Sequence, residues 1–135
     1  MAADELLLRQ APHSPQAEQA VLGSMLIDPD CIKDVMDKLR PEDFYLRANR
    51  DIFETIYHMF VYSRPIDGVT VAGEMEKTGV YNDNTKDYLL QLMDVTPTSA
   101  NVMEYVQIVL DKSLMRQVAS AAGSISAMVL DGAGD

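Results

Sequence analysis

The hydrophobic positions of this chain recur at helical spacing, most clearly in its last third. Between Thr98 and Leu130, apolar residues return every three or four positions and form a stripe roughly 120° wide on a helical wheel. A helix of this length spans about 45 Å, more than a domain of this size can cover. We therefore expect the domain body to cover the first half and another subunit to contact the stripe. Its residues are Met103, Val106, Leu110, Leu114, Val118, Ala121, Ile125 and Met128.

Small residues dominate the second half of this predicted helix, between Ala119 and Ala127. Small side chains let a second helix approach closely, whereas Gly123 lowers helix propensity by about 1 kcal/mol relative to alanine. The composition therefore predicts an assembly surface at the far end of the helix.

Five shorter helices are predicted before the long one, from capping residues, prolines and apolar spacing. A helical turn at Pro41–Tyr45 is expected between the second and third helices and should place Phe44 and Tyr45 in the core. The predicted helices run from about Ser14 to Ile27, from Asp28 to Leu39, from Ala48 to Tyr62, from Asp67 or Thr70 to Gly79, and from Thr85 to Asp94.

No stretch of the chain alternates apolar and polar residues over several positions, so strands are not expected. The predicted fold is all-α, with a compact head of about five short helices followed by one long helix. The predicted divisions are a flexible arm (1–11), the helical head (12–97), the long helix (98–130) and a truncated end (131–135).

Composition and charge narrow the possible functions. The chain has 135 residues, of which 47% are hydrophobic and 24% charged, as is usual for one globular domain. Its net charge of −10 repels phosphate, so strong direct DNA binding is not expected. The single cysteine, Cys31, excludes an internal disulfide. No apolar run is long enough for a membrane span, and the acidic start does not resemble a signal peptide, so we expect a cytoplasmic location.

Motifs for nucleotide or calcium binding are incomplete. Gly68 and Gly73 have the glycine spacing of a phosphate-binding loop, but Glu74 follows where that loop needs lysine. The segment Asp28-Pro29-Asp30 faintly resembles a calcium loop without its glycine and closing glutamate, so a helix cap is the better interpretation. We predict no cofactor in this chain.

The remaining reactive side chains form no recognisable catalytic or metal pattern. His13, His58 and Cys31 lack metal-ligand spacing, and His58 is interpreted as a helix-surface residue. Carboxylate pairs such as Glu42-Asp43 and Glu74 with Glu76 arise readily in a chain with 21 acidic residues. Five basic residues could form a local positive patch, although solvated helix flanks explain them better: Lys33, Lys38, Arg40, Arg47 and Arg50. We predict no catalytic or metal-binding residues.

Two classes of function remain open from the residues. The excess of apolar helix and the lack of a phosphate-binding loop favour a non-catalytic module for assembly and partner docking. The alternative is a free-standing small helical enzyme or regulator that uses paired carboxylates in an acidic groove, which would need a concave site with convergent ionisable groups.

Several segments, in order and at similar spacing, carry a family resemblance over about residues 12–120. Together they resemble the N-terminal domain of replicative DNA helicases of the DnaB type. Asn49 differs from the histidine often found there in that family, which we interpret as a surface change. The segments are Pro12–Gly23, Pro41–Tyr45, Arg50 with Ile52-Phe53, Pro65–Asp67 with Thr70, Tyr88-Leu89 with Leu92, Pro97–Val102, and Tyr105 with Ile108-Val109.

The resemblance implies a helical head followed by a helical hairpin that pairs between subunits. In such helicases the pairs form a hexameric collar, a trimer of dimers, that receives the C-terminal domain of primase. The ATP-driven motor would lie beyond Asp135, and the long helix would be the first arm of the hairpin. The expected partners are therefore further copies of the chain and primase; the sequence does not indicate which residues contact primase.

Overall fold

The computed structural model describes residues 11–132, which form six α-helices and contain no strand. The prediction of an all-α chain with five short helices and one long one is confirmed. Short 3-10 turns at Pro29–Cys31 and Pro41–Asp43 precede the second and third helices. The helices are α1 (Pro15–Ile27), α2 (Ile32–Met36), α3 (Arg47–Val61), α4 (Gly68–Thr78), α5 (Thr85–Asp94) and α6 (Val102–Leu130). The predicted arm at 1–11 lies outside the described residues except for Ala11, as do residues 133–135.

The predicted caps begin and end the short helices. The Ser14 hydroxyl accepts a hydrogen bond from the backbone N–H of Ala17 at 3.2 Å, at the start of α1. Asp67 and Thr70 exchange hydrogen bonds of 2.8 and 2.9 Å at the start of α4. Gly79 ends α4 with a left-handed φ of 80°, which glycine adopts without steric cost.

Two helices are shorter than predicted. The second was expected to reach Leu39, but α2 ends at Met36. Pro41 holds Arg40 in extended backbone (φ −125°, ψ 162°), so the chain must leave the helix before that residue. The long helix was expected from Thr98, whereas α6 begins at Val102 after a turn.

The core is built around α1, which packs against α3, α5 and α6. Phe44 is fully buried and packs on Phe53, with ring centroids 4.7 Å apart. Tyr45 is only partly buried, so the prediction that both aromatics enter the core was wrong for Tyr45. Burial raises the pKa of the Cys31 thiol to about 11, which keeps it protonated near neutral pH. Between residues 11 and 132, no helix has both the length and the apolar character to cross a bilayer.

Candidate assembly and docking surface

Helix α6 has two halves with different surroundings. In the first half, Val102, Val106 and Val109 pack into the head and are at most 6% exposed. The structure therefore removes Val106 from the predicted subunit surface, and Leu110 packs partly against the core as well. Spacing along one helix does not distinguish residues covered by the head from residues left for a partner, which is why the two sets were predicted as one stripe.

A polar neck marks the end of the covered half. The Ser113 hydroxyl donates to Oδ1 of Asp43 at 2.7 Å. The Arg116 guanidinium donates to the backbone carbonyls of Pro12 and Asp43 at 2.8 and 2.7 Å and lies 5.4 Å from the Tyr45 ring centroid. These contacts tie α6 to the segment before α1 and to the turn before α3.

The second half of α6 leaves its large apolar side chains uncovered by the described residues. Five of the eight predicted stripe residues lie there, and all five are exposed: Leu114, Val118, Ala121, Ile125 and Met128. Met103, near the start of α6, is also exposed at 41%. The four larger side chains among the five are 48–68% exposed. No charged residue occurs from 117 to 130, so the surface is apolar and neutral over about four turns.

The prediction missed three exposed residues on the same half of α6. Met115, Val129 and Leu130 are 50%, 72% and 82% exposed and extend the apolar surface beyond the predicted stripe. These residues were missed because the prediction used periodicity, which selects a narrow stripe. The absence of charged residues from 117 to 130 was the signal that the apolar surface extends beyond this stripe.

A buried polar network links α1, α3 and α5. The Glu18 carboxylate, 1% exposed, accepts hydrogen bonds from the backbone N–H groups of Tyr45 (2.8 Å) and Leu46 (3.4 Å) and from Nδ2 of Asn49 (2.9 Å). The Tyr88 hydroxyl donates to Oδ1 of Asn49. Burial raises the pKa of Tyr88, which keeps its phenol a protonated donor.

This network corrects the interpretation of Asn49 as a surface residue. Asn49 is fully buried and joins the carboxylate of Glu18 to the phenol of Tyr88. All its neighbours in the network come from other elements, so no local pattern could show its burial. The network positions the start of α3 and is structural, since the donors and acceptors that form it satisfy one another.

An acidic groove of about 410 Å³ lies between α3 and α4 and is a candidate for the site that the alternative enzymatic hypothesis needs. Glu54 and His58 line it with exposed side chains 4.0 Å apart. Glu74 is engaged by Arg64 at 2.6 Å, and this hydrogen bond holds the pKa of Glu74 below its usual range. The groove is open and its charged groups are solvated or paired, so it does not supply the enclosed, convergent groups that catalysis needs.

The other candidate positions fall on ordinary structural elements. Gly68 and Gly73 lie within α4, so they form no loop around a phosphate. Among residues 11–132, no three His, Cys, Asp or Glu side chains are grouped as a metal site would require. Arg40 and Arg50 donate to backbone carbonyls of Met36 and Phe44, as residues with local structural roles do.

Comparison with known proteins places the chain in a family. The model of the DnaB-like helicase N terminal domain matches residues 10–111, which is more than half of the chain. The chain belongs to the DnaB-like helicase N-terminal domain family.

Named relatives of this family are replicative DNA helicases. The chain is 39% identical to the replicative DNA helicase DnaB of Mycobacterium leprae over 114 residues, which are 84% of the chain. It is 38% identical to the DnaB of Geobacillus stearothermophilus over 119 residues, or 87% of the chain. The matched regions make up 19% and 26% of these two relatives, so the chain spans about a fifth to a quarter of their length.

Solved structures of DnaB N-terminal domains share the fold. The crystal structure of the N-terminal domain of DnaB helicase from Mycobacterium tuberculosis aligns with a TM-score of 0.87 at 36% identity and covers 93% of this chain and 91% of its own. The DnaB N-terminal domain from Helicobacter pylori, described together with its interactions with primase, aligns with a TM-score of 0.73. That neighbour is 22% identical, with coverage of 96% and 98%, and supports the fold alone.

Proposed function

We propose that this chain is the assembly and docking domain of a replicative DNA helicase. In that helicase, copies of this chain pair through the second half of α6, and the pairs contribute to a hexameric collar. The head together with α6 binds primase. The observation that carries the proposal is the uncovered apolar surface of α6 from Leu114 onward, in a member of a helicase N-terminal domain family.

The size of this surface argues for a permanent partner. Burying one exposed large aliphatic side chain contributes about 1.5–3 kcal/mol when it is complete. Leu114, Met115, Val118, Ile125 and Met128 are each at least 48% exposed. Together they offer enough apolar area to offset an association cost of roughly 4–15 kcal/mol. Monomeric proteins rarely leave contiguous apolar patches of this extent exposed.

A second α6 is the occupant that fits the surface. Ala119, Ala121 and Ala122 allow close helix approach, and the absence of charge from 117 to 130 removes local repulsion between copies of a chain with net charge −10. The predicted surface that we retain therefore runs from Leu114 to Met128, without Val106 and with Leu110 as a partly covered edge. Met103, exposed near the start of α6, stays a predicted contact.

Charge placed on this surface should separate the subunits. The double variant Leu114→Asp/Val118→Asp is expected to shift a dimer to monomer in sedimentation, because carboxylates at the contact would lose their hydration. The head should stay folded, since neither side chain contributes to the core. An unchanged mass in the double variant would contradict the proposed pairing.

A matched control uses the opposite side of the same helix. Ser120 and Ala127 lie more than about 100° from the Leu114–Val118 side at helical spacing, and both are exposed. The double variant Ser120→Asp/Ala127→Asp adds the same charge and should leave the dimer intact. Loss of the dimer in both variants would point to a general effect of charge.

Primase docking is proposed because a structural neighbour is described with its interactions with primase. We expect saturable binding in a calorimetric titration of this chain with the C-terminal domain of the cognate primase. At protein concentrations of about 0.1 mM, the titration would still detect a binding free energy near −5.5 kcal/mol. Absence of binding under these conditions would argue against docking of primase on this domain. Running the titration on the charge variants separates docking from subunit pairing.

The parent protein is proposed to be an ATP-dependent DNA helicase, acting in the cytoplasm, whose catalytic groups lie outside this chain. The acidic groove between α3 and α4 lacks the enclosed, convergent ionisable groups of a catalytic site. The net charge of −10 disfavours strong DNA binding by this chain. We propose that this chain binds no cofactor and hydrolyses no ATP.

A further inference from the structure

A second uncovered apolar surface lies on the head, away from α6. Helices α4 and α5 border an open groove of about 610 Å³. Of the lining residues, three on each helix are spaced by four and then three positions, which places those three on one helical face. They are Val69, Gly73 and Glu76 from α4, and Lys86, Leu90 and Met93 from α5.

Large side chains in this groove remain open to solvent. Val69 is 82% exposed and Leu90 is 48% exposed, while Leu89 and Met93 form a buried or partly buried floor. Two packed helices that border a groove with exposed aliphatic side chains form the kind of site into which an amphipathic helix lays its own apolar face.

Gly73 supports close approach by an outside element. It lies in the interior of α4, where glycine weakens a helix, yet a Cβ at this position would meet no heavy atom within 4 Å. At Gly68, by contrast, a Cβ would lie 2.9 Å from Cε of Met93. Cε is the flexible end of the Met93 side chain, so even this contact could relax, and at Gly73 packing within the chain gives no reason for the absence of a side chain.

The charges around the groove indicate the chemistry of the partner. Asp67 and Glu76 lie along the α4 side, and Lys86 lies on the α5 side. With a net charge of −10 on the whole chain, a partner with a cationic edge along α4 is favoured electrostatically.

We propose that the α4–α5 groove is a docking site for a cationic amphipathic helix of a partner protein. Bulky aliphatic residues of that helix, at helical spacing, would fill the space beside Val69 and Leu90. Its lysine or arginine residues would lie against Asp67 and Glu76, with its backbone close to Gly73. This site uses other helices than α6 and does not depend on subunit pairing.

The test uses a fluorescein-labelled 16-residue peptide with leucine on one helical face and lysine elsewhere, in about 0.15 M salt. Anisotropy should show saturable binding to the wild-type chain. Gly73→Leu should weaken binding at least about tenfold, because the new side chain fills the groove. Its thermal unfolding midpoint should not fall, since leucine has room there and is the better helix former.

Three controls make the result specific. The same peptide with glutamate in place of lysine should bind less well, Gly73→Ala should bind nearly as wild type, and Val118→Asp on α6 should leave binding unchanged. Equal binding by Gly73→Leu, equal binding of the acidic peptide, or no binding of the basic peptide would overturn the proposal. Loss of peptide binding in Val118→Asp would show that the peptide binds α6 and not the α4–α5 groove. If the wild-type chain is a dimer and Gly73→Leu makes it a monomer, the occupant of the groove is a second copy of the chain. Either result overturns the assignment.

Discussion

Replacing Gly23 with alanine is expected to lower the free energy of unfolding by about 3 kcal/mol, as overpacking of a well-packed core does. A Cβ at this position of α1 would lie 2.1 Å from Oγ1 of Thr96 and 2.4 Å from the backbone oxygen of Leu92. The Thr96 side chain can rotate, but the carbonyl of Leu92 belongs to α5, so the two helices would have to separate. Urea denaturation followed by circular dichroism measures the effect.

Gly123→Ala provides the matched control. Gly123 lies in the exposed half of α6, where a Cβ would meet nothing within 4 Å, so alanine should raise helix stability by about 1 kcal/mol. Opposite signs for the same chemical change are the expected outcome. Equal effects at Gly23 and Gly123 would show that the close approach of α1 and α5 does not limit the stability of the head.

Replacing Glu18 with alanine is expected to cost about 3 kcal/mol of stability, since each buried donor left without an acceptor costs about 1–3 kcal/mol. The backbone N–H of Tyr45 and the side-chain amide of Asn49 would both lose their acceptor. Denaturation gives the overall loss, and hydrogen exchange should show faster opening at the start of α3 than in α4.

Two further variants isolate the role of the carboxylate. Glu18→Gln keeps one acceptor oxygen but places an amide N–H₂ against a donor, so an intermediate loss is expected. Glu42, exposed on the turn before α3, should tolerate alanine within about 0.5 kcal/mol. A loss at Glu18 no larger than that at Glu42 would contradict a stabilising network.

Local signals in the sequence were enough to predict most helices. Ser14 and Asp67 cap the starts of helices, and Gly79 ends one, through contacts with residues only a few positions away. The observed ends of these helices agree closely with the prediction. The second helix was predicted to end too late, at Leu39, because the prediction followed the apolar spacing. In the structure, the restriction that Pro41 places on the backbone of Arg40 outweighs this spacing.

The candidate surface was harder to predict because burial depends on contacts between distant residues. Val106 and Leu114 share the same helical stripe, yet the head covers one and leaves the other exposed. Asn49 and Glu18 are polar residues in the first turns of helices, where exposure is usual, and only tertiary packing buries them together. The division of the chain into arm, head and long helix stays a prediction.

The neck has a consequence for the order of folding during synthesis. Its hydrogen bonds join residues separated by 70 to 104 positions, since Arg116 reaches back to Pro12 and Asp43, and Ser113 to Asp43. The hydrogen bonds of the neck therefore form only after residue 116 has left the ribosome. The family match ends at residue 111, so a fragment cut at that boundary would lack Ser113 and Arg116 and the hydrogen bonds by which they hold the segment before α1 and the turn before α3.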